Sequence, residues 1–381
     1  MPLRYPAERI LVRCPNWIGD MIAATAALRC VRANYPKAHI ALLLKAYVRP
    51  VIAHAPWADE VIEVDPRGGL TGLLATAKRL RRAPRYDLAL LMTQSFNSAL
   101  TGLLGGVKRR VGHAGDGRSL LLTDAVPWPG QRPNPKLVPK VQVYSSLLEY
   151  LGCEGAGDQR PEVFTSPEDE AQADELLAAR GRDSRRPLLA IVPGAAYGAS
   201  KLWPPERFAR VADALAASRR FQTVVLAGPG EEAIGQEIAM KMKERPISFR
   251  PFELPHGGPE NSRMGREGEV SFGALKAIVR RSALMICNDT GPRHLAIAYN
   301  VPVVVLMGPT SPIVTDSDYA RTTILRQDVP CGPCYRRRCP TDHRCMMLIT
   351  TEMVIAAVEN LLTRCAGGGG AGNPARDSNS V

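Results

Sequence analysis

The stretch Arg9-Ile-Leu-Val-Arg-Cys-Pro-Asn-Trp-Ile-Gly-Asp20 indicates the fold at the start of this 381-residue chain. Arg9–Cys14 is a short apolar run that fits a strand, Pro15–Asp20 is a loop, and an alanine-rich helical pattern follows over Met21–Ala33. Strand, loop and helix in this order predict the opening of a parallel α/β sheet. Ligands of such sheets bind beyond the carboxyl ends of the strands, so we expect function in the loops that follow strands.

The same alternation of apolar strands and amphipathic helices continues along the chain and predicts two similar α/β domains. In the first half, strands are predicted at His39–Leu44, Glu60–Asp65 and Tyr86–Met92, with helices near Tyr47–His54, Leu70–Arg82 and Phe96–Leu104. In the second half, strands are predicted at Leu188–Val192, Thr223–Ala227, Leu284–Asn288 and Val301–Leu306, with helices near Glu206–Ser218, Glu231–Lys243, Phe272–Arg281 and Arg293–Tyr299.

The pattern lapses between Cys153 and Pro167, and a helix then starts with Ser166 as its cap and Pro167 at its first position. We therefore predict a first domain over residues 1–155 and a second over 165–350. Residues 246–270, with their Pro, Gly, Glu and Arg, are typical of an exposed insertion. The Gly-rich end, 365–381, predicts a disordered tail.

Charge divides the chain unevenly. Residues 1–150 hold 21 Lys and Arg against 10 Asp and Glu, a net charge of +11, whereas residues 151–381 hold 28 against 27. The positive half indicates an anionic partner, although solubility alone also explains it. No apolar run approaches the ~20 residues of a membrane span, and no secretory pattern opens the sequence, so we expect a cytoplasmic protein.

Asp20 is the first candidate for chemistry, because it lies at or beside a helix N-terminus after a strand. A carboxylate in this place can accept a proton from a sugar hydroxyl. An ordinary helix-capping aspartate explains the same pattern.

Three loops of the second half carry groups that suit a nucleotide. Pro193–Pro204 is rich in small residues and carries Lys201, which suits a diphosphate cradle, although a plain connecting loop fits as well. Asn288–His294 opens a helix and suits phosphate or ribose, although His294 also fits a core position. Gly228–Glu232 offers Glu231 and Glu232 to ribose hydroxyls, although an acidic first helical turn explains them equally.

Two further clusters are open to more than one interpretation. Basic residues of the first half suit several carboxylates or phosphates at once, although each fits a solvated surface position; they are Lys45, Arg49, Lys108, Arg109, Arg110 and Arg118. Four thiols and His343 lie within 15 residues and suit zinc or an iron–sulfur cluster, or are free thiols of an exposed basic loop; the thiols are Cys331, Cys334, Cys339 and Cys345.

Taken together, these loops resemble family 9 glycosyltransferases, the lipopolysaccharide heptosyltransferases, from Arg9 to about Leu362. Five motifs carry the resemblance, in the family's order: Pro15–Met21, Gln94–Leu100, Pro193–Ala195 with Lys201–Pro204, Asn288–Ala296 and Gly308–Pro312. The Pro15–Asp20 form and the Gln94–Leu100 segment look most like the heptosyltransferases II, which add the second heptose to the first.

The resemblance implies a GT-B fold, in which two Rossmann-like domains face each other across a cleft and a final helix, residues 351–364, packs back on the first domain. It also implies an ADP-heptose donor in the second domain and, in the first, the anionic inner core of lipopolysaccharide. It implies no catalytic metal or other cofactor. We accordingly expect a peripheral position on the cytoplasmic face of the inner membrane and no nucleic-acid partner.

Residue roles follow from the same resemblance. Asp20 is expected to be the general base, and Lys201 is expected to stabilise the departing ADP. Donor contacts are expected from Gly194, Ala195, Ala196, Lys201, Glu231, Glu232, Asp289, Thr290, Gly291 and His294. Acceptor contacts are expected from Asn16, Trp17, Lys45, Arg49, Ser95, Asn97, Arg110 and Arg118.

Three other functions fit parts of the sequence. A heptosyltransferase I or another family 9 sugar transferase would differ mainly in the acceptor loops around 94–120. A non-catalytic sugar or nucleotide-binding protein would not need Asp20. A dinucleotide oxidoreductase is disfavoured because no Gly-x-Gly-x-x-Gly follows Val12 or Val192.

Overall fold

The computed structural model describes residues 3–130, 137–249, 270–315 and 319–367. The chain divides into two compact units, one containing Met1–Phe164 and the other beginning at Thr165. This division falls in the stretch where the alternation of strands and helices lapses.

The first unit is a parallel sheet with helices. In chain order its elements are β1 (Arg9–Arg13), α1 (Ile18–Asn34), β2 (His39–Leu44), β3 (Glu60–Glu63), α2 (Gly69–Arg82), β4 (Leu88–Leu91), α3 (Phe96–Leu104), β5 (Arg109–His113), β6 (Asp124–Val126) and α4 (Lys140–Leu151), with 3₁₀ turns at Ala46–Ile52 and Ser119–Leu121. The six strands lie in the order β3-β2-β1-β4-β5-β6.

Strand β1 lies inside this sheet and pairs in parallel with β2 and β4, so that Val12 is opposite both Leu42 and Leu90. These three side chains are at most 1% exposed. Continuous apolar strands are required here because helices cover a parallel sheet on both faces. Since all six strands are parallel, their carboxyl ends lie at one edge, and the loop Cys14–Trp17 between β1 and α1 opens there.

The second unit repeats this architecture. From residue 165 onward the elements are α5 (Pro167–Ala178), β7 (Leu188–Val192), α6 (Pro205–Arg219), β8 (Gln222–Val225), α7 (Glu232–Lys241), β9 (Ile247–Ser248), α8 (Phe272–Arg281), β10 (Leu284–Asn288), α9 (Arg293–Ala298), β11 (Val303–Met307), α10 (Pro312–Thr315), β12 (Thr322–Arg326), α11 (Arg344–Met347) and α12 (Thr351–Gly367), with a 3₁₀ turn at Ala199–Lys201. The strands are parallel, in the order β12-β11-β10-β7-β8-β9.

The predicted α/β class with two Rossmann-like domains is confirmed by these two sheets. The predicted start of α5 is also confirmed: the Ser166 side chain accepts the Asp169 N–H while the Asp169 side chain accepts the Ser166 N–H, and Pro167 opens the helix. This capping box satisfies two backbone donors that a helix start leaves without partners.

The terminal helix α12 packs against α6 and β12 of the second unit. The predicted contact of this helix with the first domain stays a prediction. The apolar stripe of α12 at i, i+3, i+4 and i+7 is buried in the same core as Phe208 and Leu215, and this spacing places all four side chains on one helix face. The stripe consists of Val354, Ala357, Val358 and Leu361.

Three other predicted segments differ in part from the structure. The helix near Tyr47–His54 is a 3₁₀ turn, Ala46–Ile52, with Pro50 inside it. The predicted insertion 246–270 begins with β9, whose Ile247 is 2% exposed, and residues 250–269 lie outside the described residues. Helix α12 continues to Gly367 and so includes residues 365–367 of the predicted tail, and residues 368–381 also lie outside the described residues.

In the described part of the chain, no helix is both long enough and apolar enough to cross a membrane.

Candidate functional site

Asp20 lies in the first turn of α1, at the carboxyl edge of the first sheet. The N-cap of α1 is Trp17, which makes no side-chain capping bond, and Asp20 is the third residue of the helix. The capping-aspartate explanation is therefore wrong, because the capping position belongs to another residue. A carboxylate in a first helical turn is nevertheless stabilised by the positive end of the helix dipole.

The environment of Asp20 favours a basic carboxylate. Burial raises its pKa above the ordinary value, and the positive charge of Lys140, the first residue of α4, partly opposes this rise. Helix α1 packs against α4, and Tyr144, one turn after Lys140, is 3% exposed and interacts electrostatically with Asp20. Among the described residues, the Asp20 carboxylate has no hydrogen-bond donor, which leaves it free to accept a proton from a ligand.

The loop before Asp20 is held by a buried arginine. The Arg13 guanidinium, 8% exposed, donates to the Leu43 carbonyl at 3.3 Å and to Asn16 Oδ1 at 2.8 Å. The Tyr47 hydroxyl donates to the Asn16 carbonyl. Part of Asn16 therefore fixes the loop, and only its side-chain amide N–H groups remain for the predicted acceptor contact.

Most other predicted acceptor residues are exposed and lie in segments that follow strands, at the carboxyl edge of the first sheet. Trp17 is 56% exposed, and the Lys45 ammonium lies 5.9 Å from the ring centre of Tyr47. Arg49 forms a surface ion pair with Glu63 at 3.1 Å. The two exposed polar residues at the start of α3 are Ser95, which caps that helix, and Asn97.

Arg110 and Arg118, which were predicted to contact the acceptor, both use their guanidiniums to bind loops of the fold. Arg118 is 1% exposed and donates to the His113 carbonyl at 2.8 Å and to the Thr93 carbonyl. Arg110 donates to the Leu121 and Val107 carbonyls, each at 2.7 Å. These bonds provide donors for loop carbonyls, so the two residues stabilise loops in this conformation, and their contact with an acceptor stays a prediction.

In the second unit, a buried ion pair joins two of the predicted loops. Lys201, in the 3₁₀ turn after β7, donates to Asp289 Oδ2 at 2.5 Å and to the Asp289 carbonyl at 3.2 Å. Lys201 is 8% exposed and Asp289 is 7% exposed. Strands β7 and β10 are neighbours, so their carboxyl ends bring together residues that are 88 positions apart in sequence.

This pair belongs to a larger cluster with an excess of positive charge. Asp289 also lies 3.3 Å from the Arg293 guanidinium and accepts the Thr310 hydroxyl at 2.8 Å. Burial pushes the Asp289 pKa upward, but Arg293 and Lys201 outweigh burial, and the pKa is lowered. Burial, with the Arg293 charge, lowers the pKa of His294 to about 3, so this imidazole is neutral. One carboxylate and two cations leave a net charge of +1.

The loop after β10 is more constrained than a simple helix start. The Arg293 and His294 N–H groups bond to the Thr290 and Gly291 carbonyls at 3.4 Å and 3.0 Å. Asn288, fully buried, donates to the Pro193 carbonyl at 2.5 Å. The predicted donor residues Thr290 and Gly291 thus form a turn beside the cluster, and their contact with the donor stays a prediction.

The loops after β7 and β8 are tied together by a carboxylate. Glu231 accepts the Gly228 N–H at 2.8 Å and interacts with the Ala195 N–H, and burial raises its pKa. A Cβ atom on Gly194 would lie 1.6 Å from the Glu231 carboxylate, so this close approach requires glycine. Glu232 and Ala196 are exposed beside these contacts. Glu231 therefore shapes the predicted donor loop, and Glu232 is the freer of the two carboxylates.

The Cys-rich segment, 331–345, packs on the Lys201 loop. The Arg337 carbonyl accepts the Ser200 N–H at 3.1 Å, and the Tyr335 carbonyl accepts the Tyr197 hydroxyl at 2.5 Å. His343 Nε2 lies 2.6 Å from the Ser200 carbonyl. Several backbone contacts thus hold the loop that carries Lys201.

The Cys-rich segment was predicted to be either a metal site or free thiols. Across residues 3–130, 137–249, 270–315 and 319–367, no three His, Cys, Asp or Glu side chains come together as a metal-binding group. Cys331 is exposed, Cys334 and Cys339 are partly exposed, and Cys345 is buried and interacts electrostatically with these three thiols, while His343 binds a backbone carbonyl.

Comparison with known proteins shows the family of the chain. The sequence model of "Glycosyltransferase family 9 (heptosyltransferase)" matches residues 73–344. The chain is 27% identical over 325 residues to the lipooligosaccharide heptosyltransferase 2 of Haemophilus influenzae, covering 83% of this chain and 88% of that one.

Two solved structures share the fold. A family 9 glycosyl transferase from Veillonella parvula has a TM-score of 0.77 and 24% identity, covering 96% of this chain and 99% of its own. The ADP-heptose lipopolysaccharide heptosyltransferase II of Escherichia coli has a TM-score of 0.70 and 24% identity, covering 94% and 99%. Because the family match spans well over half of its length, the chain belongs to glycosyltransferase family 9 and is a glycosyltransferase.

Proposed function

We propose that the protein transfers a heptose from ADP-heptose to the heptose of the lipopolysaccharide inner core, with inversion at the anomeric carbon. The observation that supports this most directly is Asp20, a partly buried carboxylate whose pKa is raised and which accepts no hydrogen bond from the described residues. These are properties of a general base that awaits a proton. A protein that only bound sugars would gain nothing from a desolvated carboxylate in this position.

In the proposed reaction, Asp20 takes the proton of the acceptor hydroxyl as its oxygen bonds to the anomeric carbon. The bond from that carbon to the β-phosphate oxygen breaks, and ADP leaves with the bonding electrons. The donor's diphosphate fits the second unit, because the cluster of Lys201, Asp289 and Arg293 carries a net positive charge in a largely buried place. Fixed charge of this kind stabilises negative charge that develops on a leaving group.

The acceptor fits the first unit, whose residues 1–150 carry a net charge of +11. The inner core is anionic, and a basic surface both attracts it and raises the rate of encounter. The same charge supports a peripheral position on the cytoplasmic face of an anionic membrane. The relative's name supports addition of the second heptose.

The test measures ADP release from ADP-heptose, with EDTA present, using Kdo-lipid A that carries one heptose. We expect release that depends on this acceptor. Release that instead requires Kdo-lipid A without heptose would reassign the acceptor to the first-heptose reaction. Tight ADP binding with no release for any sugar acceptor would favour the binding-protein alternative.

The raised pKa of Asp20 makes a prediction about pH. The base must be ionised, so the transfer rate is expected to fall as pH decreases through this raised pKa. Lys140→Gln removes the charge that opposes the rise, and the acidic limb of the kcat profile should move to higher pH. Profiles of kcat against pH for the wild type and the variant measure this shift.

Lys108→Gln is the matched control, since Lys108 precedes β5 at the other edge of the sheet and pairs with Asp87 at 2.7 Å. Its acidic limb should coincide with that of the wild type. If Lys140→Gln also left the limb in place, Lys140 would not act on the base.

A second prediction concerns the contact between the Cys-rich segment and the Lys201 loop. At Gly198 φ is 149°, and an added Cβ would lie 2.4 Å from the Arg337 carbonyl oxygen. Gly198→Ala must therefore separate the two segments, and we expect ADP affinity to fall about tenfold, the effect of losing one good hydrogen bond. Calorimetric titration with ADP measures this.

Gly181→Ala controls for backbone strain, because its φ is also positive, 74°, no atom lies within 4 Å of the added Cβ, and Gly181 lies outside the predicted donor loops. It should bind ADP nearly as the wild type does. Equal losses in the two variants would attribute the effect to strain and not to the Arg337 contact.

A further inference from the structure

One surface of the first unit exposes large apolar side chains in unusual number. Two lie on α2, two on α3 and one in the 3₁₀ turn after β5. We call this surface the α2–α3 face; it consists of Leu70 (65% exposed), Leu74 (49%), Phe96 (44%), Leu103 (39%) and Leu120 (95%). Single exposed apolar residues need no explanation, but a group on neighbouring elements indicates an interaction site.

These elements are neighbours in the fold. Helix α2 packs beside α3, and the turn Ser119–Leu121 also packs on α3. The helices and the turn each follow a strand of one parallel sheet, so the start of α2, the start of α3 and the turn lie at its carboxyl edge. The loop that leads to Asp20 opens at the same edge.

On α2, the exposed stripe is distinct from the stripe that faces the core. Leu73, Ala77 and Leu80 are buried, whereas Leu70, Leu74 and Lys78, spaced four residues apart, are exposed. Residues at i, i+4 and i+8 lie on one side of a helix. The outer side of α2 therefore begins apolar and continues basic.

Most of the charge close to this face in sequence is positive, and Asp65, Asp87 and Asp116 are the acidic residues that flank it. Residues 66–86 contain six Lys and Arg and no Asp or Glu, and residues 88–115 contain three Lys and Arg and no Asp or Glu. The exposed basic side chains of α2 are Lys78, Arg79, Arg81 and Arg82. Apolar side chains bordered by Lys and Arg are the features that hold a protein in the interface of an anionic bilayer.

We propose that the α2–α3 face docks on the surface of an anionic lipid bilayer, inserting its leucine and phenylalanine side chains among the lipids. A second copy of the chain fits this face less well, because a symmetric contact would bring positive charge against positive charge. Nucleic acid also fits less well, because aliphatic side chains cannot stack on bases as aromatic ones do. The proposal rests on the proposed function for the reason why docking is useful: an acceptor embedded in the bilayer would be held beside the edge that carries Asp20.

The experiment is flotation with vesicles of phosphatidylcholine containing phosphatidylglycerol, at low and high salt. The wild type should bind these vesicles, and part of the binding should resist high salt, because apolar insertion is not screened as charge is. The variant Leu70→Ser/Leu74→Ser/Leu120→Ser should lose at least about tenfold in partitioning and should lose the salt-resistant part. Lys78→Gln/Arg81→Gln/Arg82→Gln should lose binding mainly at low salt.

The control Met240→Ser/Met347→Ser/Leu348→Ser alters three exposed apolar residues of the second unit, at 78%, 41% and 52% exposure. It should bind as the wild type does. Equal binding by the leucine variant and the wild type would overturn the proposal. The proposal would also be overturned if the wild type were a dimer and the leucine variant a monomer with unchanged vesicle binding. The same holds if the leucine variant lost binding to RNA instead of binding to vesicles.

The two proposals fail in different ways. The leucine variant should transfer heptose to a delipidated, water-soluble acceptor as fast as the wild type does. If the wild type transferred no heptose to this acceptor, that result would count against the proposed function alone. Vesicle binding requires neither donor nor acceptor, so its absence would count against the docking surface alone.

Discussion

Asp20→Asn is expected to lower kcat for heptose transfer by about 10³-fold, which is the usual contribution of a general base. The amide has nearly the same size and cannot accept the proton, while the first turn of α1 and its Trp17 cap do not depend on the carboxylate. Because the donor cluster lies in the other unit, the dissociation constant of ADP should not change. Acceptor-dependent ADP release and calorimetric titration with ADP measure the two effects.

Asp116→Asn is the matched control, since Asp116 is an exposed aspartate that follows β5 at the same edge of the sheet. Its φ of 48° suits asparagine as well as aspartate, so the fold should be undisturbed. We expect its kcat to equal that of the wild type. A similar loss in both variants would indicate a general effect of charge, and full activity of Asp20→Asn would remove Asp20 from the chemistry.

Apolar patterns predicted the central strands of both sheets well, because these strands are buried on both faces. The predicted bounds of β2, β7 and β10 agree with the structure to the residue. Helices with clear caps were also predicted closely: α3 and α8 begin after Ser95 and Ser271, each of which accepts an N–H from its own first turn. Local signals of this kind need no information from the rest of the chain.

The missed strands have polar residues or half-exposed positions. Strand β5 begins with Arg109 and Arg110, and β12 is partly exposed along its whole length at an edge of the sheet. Strand β6 has three residues and begins with Asp124, which is 8% exposed and accepts hydrogen bonds from Tyr5 at 2.6 Å and Tyr150 at 2.9 Å. A buried carboxylate is acceptable only with such partners, and a sequence does not show them.

The loops of the site were predicted one by one, but the contacts between side chains of different loops were not predicted. Lys140 acts on a carboxylate 120 positions before it, and no local pattern marks it. In the sequence, Arg118 is typical of a surface cation. In the fold it is buried, and it donates to backbone carbonyls that come together only when the loops fold. The one signal that was available is spatial: the loops after neighbouring parallel strands must meet, which is why Lys201 and Asp289 are adjacent.

Lys201→Met is expected to lower kcat/KM for transfer about 10²-fold, because it removes a fixed cation from the proposed leaving-group site. It should also lower the free energy of unfolding by about 3 kcal/mol, since Asp289 stays buried with one partner fewer. Arg293 at 3.3 Å and the Thr310 hydroxyl at 2.8 Å remain, so the second unit should still fold. ADP release and urea denaturation measure the two losses.

The pH dependence of this destabilisation separates the ion pair from simple loss of packing. The Asp289 pKa is lowered in the folded protein, so its contribution to stability is present above the ordinary aspartate pKa and is lost as pH falls through the lowered value. The difference in unfolding free energy between wild type and Lys201→Met should therefore be greatest near neutral pH and shrink in acid. A difference that stayed constant with pH would point to the lost methylene packing instead.

Lys241→Met is the matched control, because Lys241 is exposed on α7 with Glu237 at 3.5 Å, and such surface pairs change stability little. Lys201→Arg, which restores the charge but not the shape, should recover part of the stability and less of the transfer rate, because the proposed site requires the cation at one position.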